Sequence, residues 1–225
     1  MVLSAAPGGQ AAAPKPDLDK MALTATTTAR RDPLLPKKRH TGKDMARARS
    51  AALRTSDLGG SGWKADFSSS PDTPVRCKTF KVDEHDLVET GEAESSFERG
   101  VYTVGSEVDL YQTSAMVATS WRRAVRPGFA ECQGELAARA LADPSYTVRV
   151  KSASQIPYPK LAPGTAAYHL VITLESAGIV ISMYGDSVYL RDGRALAGVF
   201  AIGVDKPFAK AELLRLATLT ARRMS

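Results

Sequence analysis

Two cysteines and three histidines in 225 residues are too few to build most metal centres. There is no HExxH pair and no CxxC, which leaves no transition-metal set and argues against thiol–disulfide exchange as an activity. No GxSxG elbow marks a serine hydrolase, and no GxGxxG or GxxxxGK[ST] loop is present to cradle a phosphate. No cofactor is implied. No apolar run reaches the roughly 18 to 20 residues that a membrane-spanning helix needs. Basic charge is also missing from most of the chain. Residues 1–56 carry 11 Lys/Arg against 4 Asp/Glu, a net of +7, whereas residues 57–225 carry 19 against 20, a net of −1. A nucleic-acid-binding body would show a basic face with interleaved aromatics, and this one does not.

What is present suits a globular protein. Hydrophobic residues make up 44% of the chain and charged residues 24%, enough apolar side chains for one sizeable core plus an arm. Residues 1–42 are rich in Ala, Pro, Thr and basic residues without any sustained period. They read as a disordered tail preceding a single domain over 43–225. Ala11-Ala12-Ala13 before Pro14 resembles the cleavage region of a secretory signal peptide, although a charged start and a full apolar segment are absent. "KKRH" at 37–40 reads as a solvated basic patch, the sharper alternative being attachment to an anionic cell envelope.

Helical spacing predicts a helix over 43–55, ended by "SDLGGSGW". Strands begin near 87, and "VYTVGSEVDLYQ" alternates, with Tyr102, Val104, Val108 and Leu110 on one face. Two helices follow. The first is capped at Thr113 and carries Val117, Trp121, Ala124 and Val125 on one stripe; Pro127-Gly128 separates it from the second, which carries Phe129, Cys132, Leu136 and Ala140. The last third holds four strand-like runs, three of them almost wholly apolar, as expected of strands covered on both faces. Gly178 suits one turn and "RDGR" at 191–194 another. A closing helix is expected from an Asp205 cap, with Pro207 in its first turn, to about Arg223. Consecutive strands with tight turns imply an antiparallel sheet, so the fold class is α+β with helices packed on a central sheet.

Cys77 and Cys132 can pair only with each other, the alternative being two buried free thiols. A bridge closing a loop of about 55 residues would stabilise by about 4 kcal/mol on the chain-entropy model and would indicate an oxidising compartment. The chain is therefore expected to be secreted or extracytoplasmic.

Candidate chemistry is sparse. His169 in "AYHLV" reads as a structural histidine. His85 could join Asp83 and Asp86 at a metal, but acids beside one loop histidine are usually solvated. Glu92, Glu94 and Glu98 alternate on one strand and read as a wet face; an acid pair such as Glu92 and Glu94 would be the basis of a hydrolase alternative. Arg122, Arg123 and Arg126 read as solvent-facing, with anion binding as the alternative. Tyr146, Tyr158, Tyr168, Tyr184 and Tyr189 fall on or near the late strands. Tyr146, Tyr168 and Tyr184 are the candidates for lining a cleft that holds a small hydrophobic or envelope-derived ligand, the plainer reading being sheet-face packing.

A helix ending in "DLGGSGW", a loop Cys77, "GEAESSFERG", "VGSEVDLYQTSAMVA", a helix carrying Cys132, late hairpins and a closing "ATLTARRM" together resemble secreted actinobacterial sensor-like domains. These are the extracellular sensor domains of PknH-type mycobacterial receptor kinases and the related PsbP-like lipoproteins. The resemblance covers about residues 43–225. It implies an α+β sandwich with a central antiparallel sheet, an exported location and a non-enzymatic ligand-sensing or accessory role. The chain departs from the kinases in having no kinase domain, no membrane helix and one possible disulfide, and from the lipoproteins in having no lipobox cysteine. No ligand-binding residue is carried over. A structural role in the cell envelope is the remaining alternative.

Overall fold

The computed structural model describes residues 32–66 and 74–225. Among these residues, eight strands form one sheet and four α-helices pack on it. The strands are β1 (Lys37–Lys38), β2 (Lys64–Asp66), β3 (Val88–Arg99), β4 (Tyr102–Tyr111), β5 (Thr147–Ile156), β6 (Gly164–Ser176), β7 (Ile179–Asp192) and β8 (Ala195–Val204). The helices are α1 (Gly42–Ala51), α2 (Ser114–Ala124), α3 (Phe129–Ala140) and α4 (Lys210–Met224). The sheet order is β1-β3-β4-β8-β7-β6-β5, with β2 pairing along the same outer edge of β3 as β1. The class is the α+β expected. The sheet is mixed, because β1 runs parallel to β3 while every other pairing is antiparallel.

Helices cover both faces. On one, α1 and α4 place Ala48, Ala51, Leu213, Leu216 and Ala217 over Val104, Val108, Val188, Val199 and Ala201. On the other, α3 places Phe129, Ala130 and Cys132 over Ala166 and Tyr168, and α2 lies over β4, β7 and β8. This double cover explains why β6, β7 and β8 are apolar on both faces. Thr113 caps α2 by accepting from the Met116 amide, and Gly128, at φ 91°, makes the break before α3.

Two expectations need correction. The 1–42 segment, set apart as a tail, contains β1, which pairs with β3 in the sheet. Leu34–His40 is a strap along its edge, with Lys37 N–H donating to Leu87 O and Arg39 N–H to Glu89 O, 2.9 and 2.8 Å. An edge strand has unpaired donors and acceptors, so even this basic stretch is recruited to it. Residues 1–31, including the Ala11–Pro14 stretch, lie outside the described residues. The closing helix begins at Lys210, five residues after Asp205. Asp205 instead takes a positive φ of 62° in a turn and donates its amide to Ser182 O at 2.7 Å. The intervening Phe208 is buried against Trp63 and Tyr102, a placement that a helix starting at Asp205 would not give.

Candidate functional site

The β3–β4 hairpin turns at Gly100, φ 61°, and that turn sets which residues face each other. Glu94 pairs with Glu107, Glu92 with Asp109 and Glu89 with Tyr111. Strict alternation would put Glu89 and Glu92, three residues apart, on opposite faces. A register shift between Glu89 and Gly91 inserts Thr90 as an extra residue and brings both glutamates to one face. Gly91 then turns to the other face, where its backbone meets Asp44 and Met45 of α1 closely enough that a Cβ would lie 2.5 Å from the Asp44 carbonyl carbon.

The result is a cavity of about 240 Å³ between this face of the sheet, α2, the 74–84 segment and the strap. Its sheet wall carries Glu89, Glu92, Glu107 and Asp109, and Glu84 lies across from them. The opposing wall is apolar, built from Val75, Val82, Trp121, Val125 and Phe129. The strap supplies the mouth. Lys38 Nζ donates to Glu92 Oε2 and stands 3.9 Å from Glu89 Oε1. His40 Nε2 lies 2.9 Å from Glu89 Oε1 and 3.9 Å from Glu92 Oε1. Deeper in, Tyr111 Oη donates to Glu84 Oε1 at 3.4 Å, with Ser120 Oγ at the same distance.

Crowding acids away from water favours their neutral forms. Burial pushes Glu89 up to about 7, against the opposing pull of His40 and Lys38. Burial raises Asp109 well above the usual carboxylate range, and the neighbouring Glu107, Glu89, Glu84 and Glu92 add to it. Burial also raises Glu84, despite hydrogen bonds from Ser120 and Tyr111. The ligand atoms of His40, Glu89 and Glu92 lie within 4.8 Å of one another, so these are the residues able to hold a metal ion among those described.

The residues singled out from sequence are scattered. Cys77 and Cys132 are bonded, with Cα atoms 5.5 Å apart, pinning the segment before β3 onto α3. Tyr168 is buried on the α3 face, its ring 5.0 Å from Phe129 and 5.8 Å from Tyr189. Tyr184 lies on the opposite face, because it shares the side of β7 that carries Asp186 and Val188. Tyr146 packs in a separate cluster with Leu141 and Ile172. The three candidate cleft tyrosines therefore do not converge; Tyr189, not among them, lines the cavity. His169 Nδ1 is 2.7 Å from Asp186 Oδ1, the satisfied pairing expected of a structural histidine. His85 bonds Asp83 at 2.7 Å, while Asp86 is taken by Arg123 through both guanidinium nitrogens. Arg123 is thus tied down, and Arg126 lies over the Phe80 ring with its Cζ 4.5 Å from the centroid. Glu94 and Glu98 are exposed and do not line the cavity, whereas Glu92 reaches it.

Sequence reasoning missed Glu84, Glu89, Asp109, Lys38 and His40 as members of one site. Fixing the hairpin register at Gly100 would have opposed Glu92 to Asp109; nothing in the sequence announces the strap.

No protein-family model matches the chain, and no curated protein matches it. Among solved structures, the chain is similar to the extracellular domain of PknH from Mycobacterium tuberculosis. Sequence identity is 14%, the match covers 82% of this chain and 98% of that one, and the TM-score is 0.48.

Proposed function

We propose that this protein is an extracytoplasmic, non-enzymatic binding domain of the sensor-like kind, and that the cavity under the strap is its ligand site. The observation that carries the reading is the cavity itself, with one carboxylate-lined wall and one apolar wall. A wall of each kind suits a small molecule with a polar and an apolar end. The Cys77–Cys132 bond supports an oxidising compartment. Among the described residues no helix is long and apolar enough to cross a membrane. The strap belongs to the binding unit on this reading, which then runs from about residue 32 to the end of α4.

Native mass spectrometry of the protein recovered from its own host tests this, with the same sample then denatured. The expected result is extra mass that disappears on denaturation and is absent when Trp121→Glu places a charge in the apolar wall. Extra mass that the wall substitution leaves unchanged would move the site elsewhere.

A further inference from the structure

We propose that the ligand of this cavity is a small organic cation, an ammonium or guanidinium group carried on an apolar body. This rests on the cavity being the binding site.

Three observations favour that class. The first is an acid on the cavity wall with no donor of its own. Asp109 faces the cavity, is partly exposed there and receives no hydrogen bond to its carboxyl group from any described residue. Lys38 and His40 serve Glu89 and Glu92 at the mouth, and Tyr111 serves Glu84. Beside Glu92 and Glu107 its charged form is costly, and a ligand bringing N–H groups and positive charge relieves that cost. The second is the seat at the mouth. The Lys38 ammonium rests between Glu92 and Glu89, so this wall already receives an alkylammonium presented by the chain itself. The third is the far wall. Val82, Trp121, Val125 and Phe129 offer hydrocarbon and ring faces within the same enclosure. A bare metal ion would leave that wall idle, an anion would meet the carboxylates, and a neutral lipid would leave Asp109 unpaired. The volume of about 240 Å³ is roughly that of eight waters at about 30 Å³ each, which sets the scale of the guest.

Lys38 then acts as an internal competitor. It reduces the apparent affinity for an external cation and holds the strap down when none is bound. A guest that displaces it frees the strap from its ion pair.

Isothermal titration of the full chain at low salt and neutral pH provides the test, with phenethylamine as probe and phenethyl alcohol as its neutral counterpart. The amine is expected to bind at least tenfold tighter than the alcohol. Asp109→Asn, which removes the group able to ionise against the amine without removing a partner, should weaken the amine at least tenfold while leaving the alcohol unchanged. Lys38→Met should tighten the amine several-fold, a direction that damage to the fold would not produce; circular dichroism confirms that each variant is folded. Equal binding of amine and alcohol would overturn the cationic class and leave the cavity as a binding site. Zinc or calcium binding that His40→Ala abolishes, without amine binding, would replace the organic cation with a metal. Binding of no probe by either wild type or Lys38→Met would overturn both the cation and the cavity as ligand site.

Discussion

At the scale of single residues, the cavity acids set the pH dependence of stability. A carboxyl group whose pKa is higher in the folded than in the unfolded chain holds extra protons when folded between those two values. Stability then falls as pH rises through that window. For Glu89 the window runs from the ordinary 4.5 to about 7, and Asp109 and Glu84 shift in the same direction. Asp44 and Asp57 shift the other way: burial raises each, but hydrogen bonds to Thr90 and Arg194, and to Arg223 and the Arg54 amide, outweigh it. Their contribution is fully present above the ordinary value and is lost only in stronger acid. The denaturation free energy should therefore decline from pH 5 to pH 8, and Glu89→Gln should flatten the part below 7, by at most about 3 kcal/mol. Urea melts at stepped pH measure this, and a curve that rises from pH 5 to 8 would contradict it. Arg194 is the second residue to examine. It donates to Tyr111 O at 2.7 Å, to Thr90 Oγ1 at 3.0 Å and to Asp44, joining the β7–β8 turn to the bulge and to the start of α1. Arg194→Met should cost about 3 kcal/mol, because it leaves the buried Asp44 without its cation. Restoring neutrality with Asp44→Asn in the same chain should recover part of the loss.

At the scale of elements, the β3–β4 hairpin and the disulfide carry the site. Gly91 lets α1 lie against β3, and its φ is not in the left-handed region, so any penalty at this position is steric. Gly91→Ala should destabilise by about 1 to 3 kcal/mol through overpacking, read from the urea midpoint. The same change should disturb the cavity, since α1 and the bulge move together; Gly42→Ala, with no neighbour within 4 Å and no left-handed φ, separates packing from glycine loss alone. The Cys77–Cys132 bond closes a 55-residue loop, and replacing both cysteines with alanine should cost about 4 kcal/mol on the chain-entropy model. Because the bond holds Val75 and Val82 near α3, the double variant should lose probe binding before it loses helix signal. Elements were the most legible feature of the sequence. Periodicity gave α2, α3 and β4 almost to the residue. It failed at the start of α4 because Phe208 serves the core better outside the helix, an energetic choice that no local pattern records.

At the scale of the whole molecule, ligand and fold are linked by mass action. A probe at one hundred times its dissociation constant should add about 2.7 kcal/mol to the unfolding free energy. A thermal shift that grows with the logarithm of amine concentration and weakens in added salt would fit an ionic site. A shift independent of concentration would point to a surface effect. Composition and apolar runs were enough to determine the class of this protein: a double-covered sheet, a chain poor in metal donors, and two cysteines able to pair only with each other. They sufficed because burial on both faces requires apolar residues at every position of a strand. The site was decided only in three dimensions. One inserted residue at Thr90 turned Glu89 toward Asp109, and an edge with unsatisfied backbone groups recruited Lys38 and His40 from 49 to 54 positions away to meet those acids. Register and edge pairing are properties of the assembled sheet, and no single stretch of sequence contains them.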